Sequence, residues 1–413
     1  MSERGSWFAR AVLVYLVLVL VLGGSSSGGV VANFALQVLG AVLLGWRLWL
    51  APVELSLHIR RLGWALLALG VAQFMPLPPA IWTALPGHAG VAQGFVLAGQ
   101  PLPWLTLSLA PGRSLAALAA LIPPLALFMA MRGNLAPSTR SVARLVVGVA
   151  VASVALGCAQ WGAGVGYVYD ITNFGRGPGL FANSNHQSSF LLIALALGAG
   201  WVMEARLSRW LGRGMAVWLV FGVVINLSLA CIALLPIEAM ALMLLWRPQW
   251  RRVPVLATMA GAGIFVLLAA LFWPGANDLS AGGGLAGLSR RDFLVNGLHI
   301  LRDFAPLGTG LGSFTQIYRW YENPALAGLT FVNHAHDDWL ELLIEGGVLA
   351  VMPLVAFFAW LRARWLAEWR HGGAVRQVAP LCIAIEMAHS LVDYPLRTAA
   401  LAGLFAVCCA MID

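Results

Sequence analysis

The chain has 413 residues, 60% of them hydrophobic and only 10% charged. A soluble core cannot absorb that much apolar surface at this length, so the composition excludes a soluble globular class and indicates an all-α, polytopic membrane protein. The formal charge of +8 rests on arginine alone, because the sequence holds no lysine. Most of these arginines fall in short loops between apolar runs, which is the positive-inside pattern and not a nucleic-acid patch.

Taken in order, the apolar runs predict twelve membrane spans: about 7–23, 30–50, 62–80, 113–131, 142–160, 187–203, 214–232, 235–247, 253–273, 338–361, 377–393 and 395–411. The first follows Arg4 and Arg10 without an obvious cleavage site after it, so it reads as an uncleaved span. Between the seventh and eighth, Pro236 suggests a tight break. With both termini placed in the cytoplasm, 18 of the 25 arginines sort to the cytoplasmic side. The five cysteines lie mostly in apolar stretches without metal-type spacing and read as small core residues. The whole chain, 1–413, reads as one membrane domain, and residues 274–336 form its longest outer loop, between spans nine and ten.

Three outer segments follow from this topology. The first, 83–112, is rich in glycine and proline and nearly uncharged. The second, 162–187, contains Tyr167, Tyr169, Asp170 and Arg176 and runs into Asn183, Asn185, His186 and Gln187. Those amide and imidazole groups either cap the sixth span or line a sugar-phosphate cavity. The third contains a predicted helix over 285–301, with Leu294, Leu298 and Leu301 on one face and Arg291, His299 and Arg302 near another. Arg290 and Arg291 on this helix could fork a diphosphate, meet lipid headgroups, or pair with Asp292 and Asp303. The glycine-rich turn Pro306–Phe314 lacks the GxxxxGK[ST] pattern and the strand-to-helix context of a nucleotide loop.

The sharpest local feature is FVNHAHDDWLELLIEGG, 331–347, with six titratable groups in twelve residues. Asp337 and Asp338 suit a helix start. His336 is a general-base candidate, because histidine titrates near neutral pH, with Asp337 or Asp338 as a partner for its ring. His334 can take the same role or only position the turn. Two close histidines with Glu322 or Asp338 could also hold a metal ion. Inside predicted spans, Glu238, Glu386, His389 and Asp393 stand out, because charge within a bilayer marks function or a buried pair.

Together, RGPGLFANSNHQ, RRDFLVNGLHILRDFAPLGTGLGSF, HAHDDWLELLIEGG and HSLVDYPLRT resemble, in order, motifs of the O-antigen ligase and Wzy-type polymerase superfamily. The likeness is strongest from Arg176 onward. It implies a glycosyltransferase of the bacterial inner membrane that needs neither metal nor cofactor and works at the periplasmic face. The implied donor is a glycan on undecaprenyl diphosphate, and the implied acceptor is a sugar hydroxyl on lipid A-core or on another lipid-linked glycan. By position, the signature histidine falls on His336 and the loop-helix arginine on Arg290, with Arg291 beside it. Two departures stand out. Asp337 replaces the usual asparagine, and SLACIALLPIEAM lacks the Ser-Arg pair that many relatives carry between spans seven and eight. Either Arg176, Arg319 or Arg397 takes that arginine's place, or the donor or acceptor differs from that of those relatives. A twelve-span transporter of a lipid-linked or anionic solute is the alternative from another class, although polar groups gathered on outer loops fit it less well than a mid-membrane site would.

Overall fold

A computed structural model describes residues 3–28, 30–246, 290–324 and 332–413. The predicted ninth span, 253–273, and the loop residues 274–289 lie outside these. The described chain is helical, apart from a two-residue antiparallel pairing of β1 (Pro76–Leu77) with β2 (Leu105–Thr106). Among the described residues, seven helices are long and apolar enough to cross a membrane, and the apolar helix Ala399–Ile412 is shorter. The chain forms two compact units.

The first unit comprises Met1–Leu55, Ile122–Ala286 and Leu361–Asp413. It contains α1 (Glu3–Leu22), α2 (Val31–Leu50), α7 (Ile122–Ala130), α8 (Thr139–Ala163), α9 (Ser184–Ala205), α10 (Arg209–Ile225), α11 (Leu229–Trp246), α16 (Ala374–His389) and α17 (Ala399–Ile412). Helix α9 is buried on nearly every side, packing against α8, α10 and α16. A helix apolar all round needs such a central place. Gly200 permits the contact with α16, because a Cβ there would lie 2.9 Å from the Ala374 carbonyl oxygen. All five cysteines are free thiols, four of them buried.

The second unit comprises Ser56–Leu121 and Gly287–Trp360. It contains α3 (Leu57–Ala72), α4 (Pro79–Trp82), α5 (Ala89–Leu97), α6 (Pro111–Ala119), α12 (Arg290–Phe304), α13 (Phe314–Tyr318) and α14 (Asp338–Gly346). A 3-10 turn, Gly347–Ala350, links α14 to α15 (Val351–His371), and α15 runs from this unit into the first. Trp82 is fully buried among Leu77 and Leu107, and its indole N–H donates to the Pro103 carbonyl at 2.8 Å.

Several predicted boundaries move. The run 62–80 is not one span, because α3 ends at Ala72, ahead of Pro76, Pro78 and Pro79. There the chain turns to pair with 105–108, through Leu107 N–H to the Met75 carbonyl and Ser108 N–H to the Gln73 carbonyl. The run 113–131 matches one candidate span, Pro111–Ala130, in which a turn at 120–121 separates α6 from α7 just before Pro123 and Pro124, which cannot donate back to the preceding turn. The break between α10 and α11 falls at Asn226–Leu227–Ser228 and not at Pro236, which lies inside α11. Leu227 takes a left-handed φ of 51°, and Asn226 Nδ2 satisfies the Gly222 carbonyl at 3.0 Å. That side-chain bond ends α10 more effectively than the proline, whose one missing N–H the helix tolerates.

Candidate functional site

In the second unit the site is built from α12, α13, α14 and the turn before α14. Asp337 is the N-cap of α14, and its carboxylate accepts from Trp339 N–H at 2.9 Å and Leu340 N–H at 3.0 Å. Its side chain therefore satisfies the open helix end. One residue earlier, His336 sits at φ +53°, a left-handed conformation that costs a non-glycine residue about 1–2 kcal/mol. This bend lays the half-buried imidazole flat on the Phe293 ring, with centroids 5.0 Å apart and planes 11° off parallel. Phe293 belongs to α12, one turn after Arg290 on the same face. The base candidate and the arginine-bearing helix thus meet through an aromatic stack.

What holds the turn is Glu341, a residue to which sequence reasoning gave no role. Its buried carboxylate accepts from the Ala335 amide at 2.8 Å and meets His334 Nδ1 at 2.9 Å. His334 thereby gains a place as a hydrogen-bond partner of Glu341 behind the turn. The signal for this was faint: a carboxylate seven residues after a histidine joins it only because α14 folds back over its own entry. Glu345, one turn further, accepts from the Phe314 amide at 3.2 Å.

The glycine-rich turn closes the opposite end of α14. Thr309 N–H reaches the Ile344 carbonyl and Gly310 N–H the Glu345 carbonyl, both at 2.9 Å, while Val348 N–H reaches Pro306 O at 2.8 Å. Gly310 has φ +107°, and a Cβ there would lie 2.2 Å from Ser108 Oγ. The glycines therefore serve to tie the turn to the helix C-terminus. On α12 the buried face is Phe293, Gly297, Ile300 and Phe304, which corrects the predicted Leu294, Leu298 and Leu301 stripe. Leu294 and Leu298 are exposed. The reason is Gly297: its missing side chain lets α12 approach α14, where a Cβ would come within 2.7 Å of Leu340. Arg291 and Arg319 are exposed, and Arg290 is half-buried.

Burial pushes the Asp337 carboxyl above its ordinary 3.8, the Leu340 and Trp339 amides pull it back, and Glu341 adds to the rise. A carboxyl raised by folding favours the fold while protonated. That contribution is complete below 3.8 and is lost as pH rises through the raised value. Once ionised, the cap therefore carries its charge at some cost. Asp337→Asn keeps the acceptor without the charge and is expected to hold or raise the Tm of the full chain in detergent, with the advantage vanishing in acid. Asp337→Ala removes the cap and is expected to cost about 1 kcal/mol in the same melt.

In the first unit a second polar cluster forms where α9, α11 and α16 meet. Asn183 caps α9, accepting from Asn185 N–H at 2.8 Å, as a helix-start reading predicts. Asn185 Nδ2 donates to Asp393 Oδ2 at 2.8 Å, and His186 Nε2 lies 3.6 Å from Asp393 Oδ1. His186 also sets its ring edge-on to Tyr394. His389 Nδ1 meets Ser189 Oγ at 2.6 Å, with Nε2 only 3.9 Å from Asp393. Asp393 is thus shared among several groups and is not simply the partner of His389. Gln187 turns inward to Ser153 at 2.9 Å. Arg176 and Arg397, both half-buried, belong to this unit. His336, His334, Asp337, Arg290, Arg291 and Arg319 belong to the other. Among the described residues, no three His, Cys, Asp or Glu side chains are grouped to hold a metal ion.

Fold and site together define a multi-pass helical membrane protein with a histidine-bearing turn set against an arginine-bearing helix. Residues 214–355, about a third of the chain, match the O-Antigen ligase family model, and this match supports the O-antigen ligase and Wzy-type superfamily that the motifs resemble. The matched segment includes α12, the glycine-rich turn and the His336 turn, but neither Arg176 nor the Asp393 turn. It supports a ligase- or polymerase-type function in general terms. No curated protein matches the chain.

Proposed function

We propose that the chain is a membrane glycosyltransferase that moves a glycan from undecaprenyl diphosphate to a sugar hydroxyl at the periplasmic face. The acceptor is either lipid A-core, as in an O-antigen ligase, or another lipid-linked glycan, as in a polymerase of O-antigen or exopolysaccharide. The observation that carries this reading is His336, held by a left-handed turn against Phe293 of the helix that begins at Arg290.

The chemistry suits these groups. His336 takes the proton of the acceptor hydroxyl as its oxygen bonds to the anomeric carbon. The bond from that carbon to the diphosphate breaks, and Arg290, with Arg291 beside it, stabilises the charge that develops on the leaving group. In-line displacement inverts the anomeric configuration, and the diphosphate donor is already activated, so no nucleotide is required. Exposed Leu294, Val295 and Leu298 suit α12 to lie on a bilayer surface, where the diphosphate of a lipid-linked donor sits. In the second unit, Arg319 is a candidate for the second diphosphate contact, and His334 and Asp337 for substrate binding; Arg176, Arg397, Asn185 and His186, in the first unit, are proposed for the same roles from the sequence motifs alone.

Arg290→Ala is expected to lower donor use by about 10²–10³-fold with the protein still present in the membrane. Titrating lipid-linked donor against purified protein checks this, and unchanged donor dependence would move the role to Arg291. In cells lacking the protein, accumulation of lipid-linked polymer would identify a ligase, and accumulation of single lipid-linked repeats a polymerase. The transporter alternative has one observation in its favour. Glu238 is fully buried in a candidate spanning helix, with neither carboxylate oxygen hydrogen-bonded among the described residues. Solute flux through purified protein in liposomes, without any transfer product, would favour it.

A further inference from the structure

In the first unit, α8, α9 and α10, with Trp246 at the end of α11, enclose a crevice of about 290 Å3. Its walls are apolar: Val147, Leu195, Ala199, Val202, Ala216 and Leu219 are among them. Two charged residues line it, Arg209 and Arg213. They stand four residues apart on α10, and therefore on one face. Both guanidinium groups lie over the exposed Trp210 indole, at 5.9 and 5.0 Å from its centroid. Neither pairs with a carboxylate among the described residues. The acid nearest in sequence, Glu204, is bound to Arg140 at 3.6 Å and to the Val375 amide at 3.2 Å.

A third lining group adds a polar demand. The indole N–H of Trp246 is buried and has no hydrogen-bond acceptor among the described residues. A buried donor without an acceptor costs about 1–3 kcal/mol, so an acceptor supplied from outside the chain would be favoured here. Among the described residues, an apolar crevice, two arginines without acid partners and one N–H without an acceptor define complementary demands: a hydrocarbon chain, an anionic oxygen group and a neutral acceptor. One class of molecule carries all three and is present at high concentration beside any membrane helix.

We propose that this crevice binds an anionic phospholipid of the surrounding bilayer. The phosphate is forked by Arg209 and Arg213, an ester carbonyl accepts from Trp246, and an acyl chain lies along the apolar wall. Arginine suits the headgroup because its planar fork matches phosphate oxygens in pairs. Trp210 fits the same level, since tryptophan concentrates at the membrane interface. The site lies among the arginine-rich loops predicted to be cytoplasmic, the side on which basic groups meet anionic lipid. It uses no residue of the proposed transfer chemistry, so it stands or falls independently of that reading.

The test is native mass spectrometry of the full chain in detergent, titrated with dioleoyl phosphatidylglycerol, with dioleoyl phosphatidylcholine and with inorganic phosphate. Phosphatidylglycerol is expected to stay bound about tenfold more tightly than phosphatidylcholine, a difference of about 1.4 kcal/mol. Arg209→Gln with Arg213→Gln should erase that preference. Ala216→Phe fills the crevice without touching charge and should reduce retention of both lipids. Equal retention of the two lipids by the unaltered chain, a comparison that needs no variant, would overturn the proposal. So would phosphatidylglycerol retention unchanged in the double variant, or its displacement by inorganic phosphate, which would mean an anion site without a lipid chain.

Discussion

His336→Asn is expected to abolish glycan transfer while leaving the protein folded in the membrane. The choice of asparagine follows from the backbone. Residue 336 is left-handed, with φ +53°, and asparagine tolerates that region better than most residues. Alanine lacks the tolerance of that region that histidine and asparagine share, and so would confound lost chemistry with a distorted turn. The asparagine amide cannot take a proton near neutral pH, so the rate should fall by about 10²–10⁴-fold, the usual value of a general base. Membrane levels measured beside ligated or polymerised glycan in cells separate the two effects. Wild-type product from a stably inserted His336→Asn protein would remove the base role.

The second large effect is expected at Glu341. Its carboxylate is 1% exposed and holds both the Ala335 amide and the His334 ring. Glu341→Ala would strand that amide at about 1–3 kcal/mol, would also remove the contact to His334, and would release the turn that aims His336. Transfer should drop by about 10²-fold, because small misplacements of a reacting group are that costly. Glu341→Gln keeps an acceptor for Ala335 and a polar contact for His334, and is expected to retain the Tm and most of the activity. A merely structural role predicts that activity follows the Tm in every variant. A positioning role predicts that activity of Glu341→Ala, assayed below its Tm, remains low at saturating donor while KM changes little.

Much of this site was legible in the sequence, and the reasons are local. A pair of aspartates ahead of an apolar run is a helix start, and Asp337 caps α14 as that pattern requires. Asn183 is the same kind of signal ahead of α9. Tertiary relations were not legible. On α12 two stripes compete at helical spacing, Leu294–Leu298–Leu301 and Phe293–Gly297–Ile300–Phe304. Leucine content favoured the first, whereas close approach at Gly297 selected the second. The α10–α11 break went to Asn226–Ser228 because a side-chain bond to the Gly222 carbonyl ends a helix where one proline does not. Glu341 drew no role from the sequence, because its contacts depend on the chain folding back over α14. His389 stands one turn from Asp393, but Asn185, which is remote in sequence, makes the shorter contact to that carboxylate at 2.8 Å.

In the proposed mechanism, the chain transfers a glycan from a lipid diphosphate with His336 as the base. The most direct test is a transfer reaction with purified full-length protein, a polyprenyl-diphosphate-linked glycan and a glycan acceptor, followed by anomeric analysis of the product. The account predicts an inverted linkage formed without nucleotide by the unaltered chain, and no product above background from His336→Asn. Equal product from both proteins, or retention of the anomeric configuration, would contradict it.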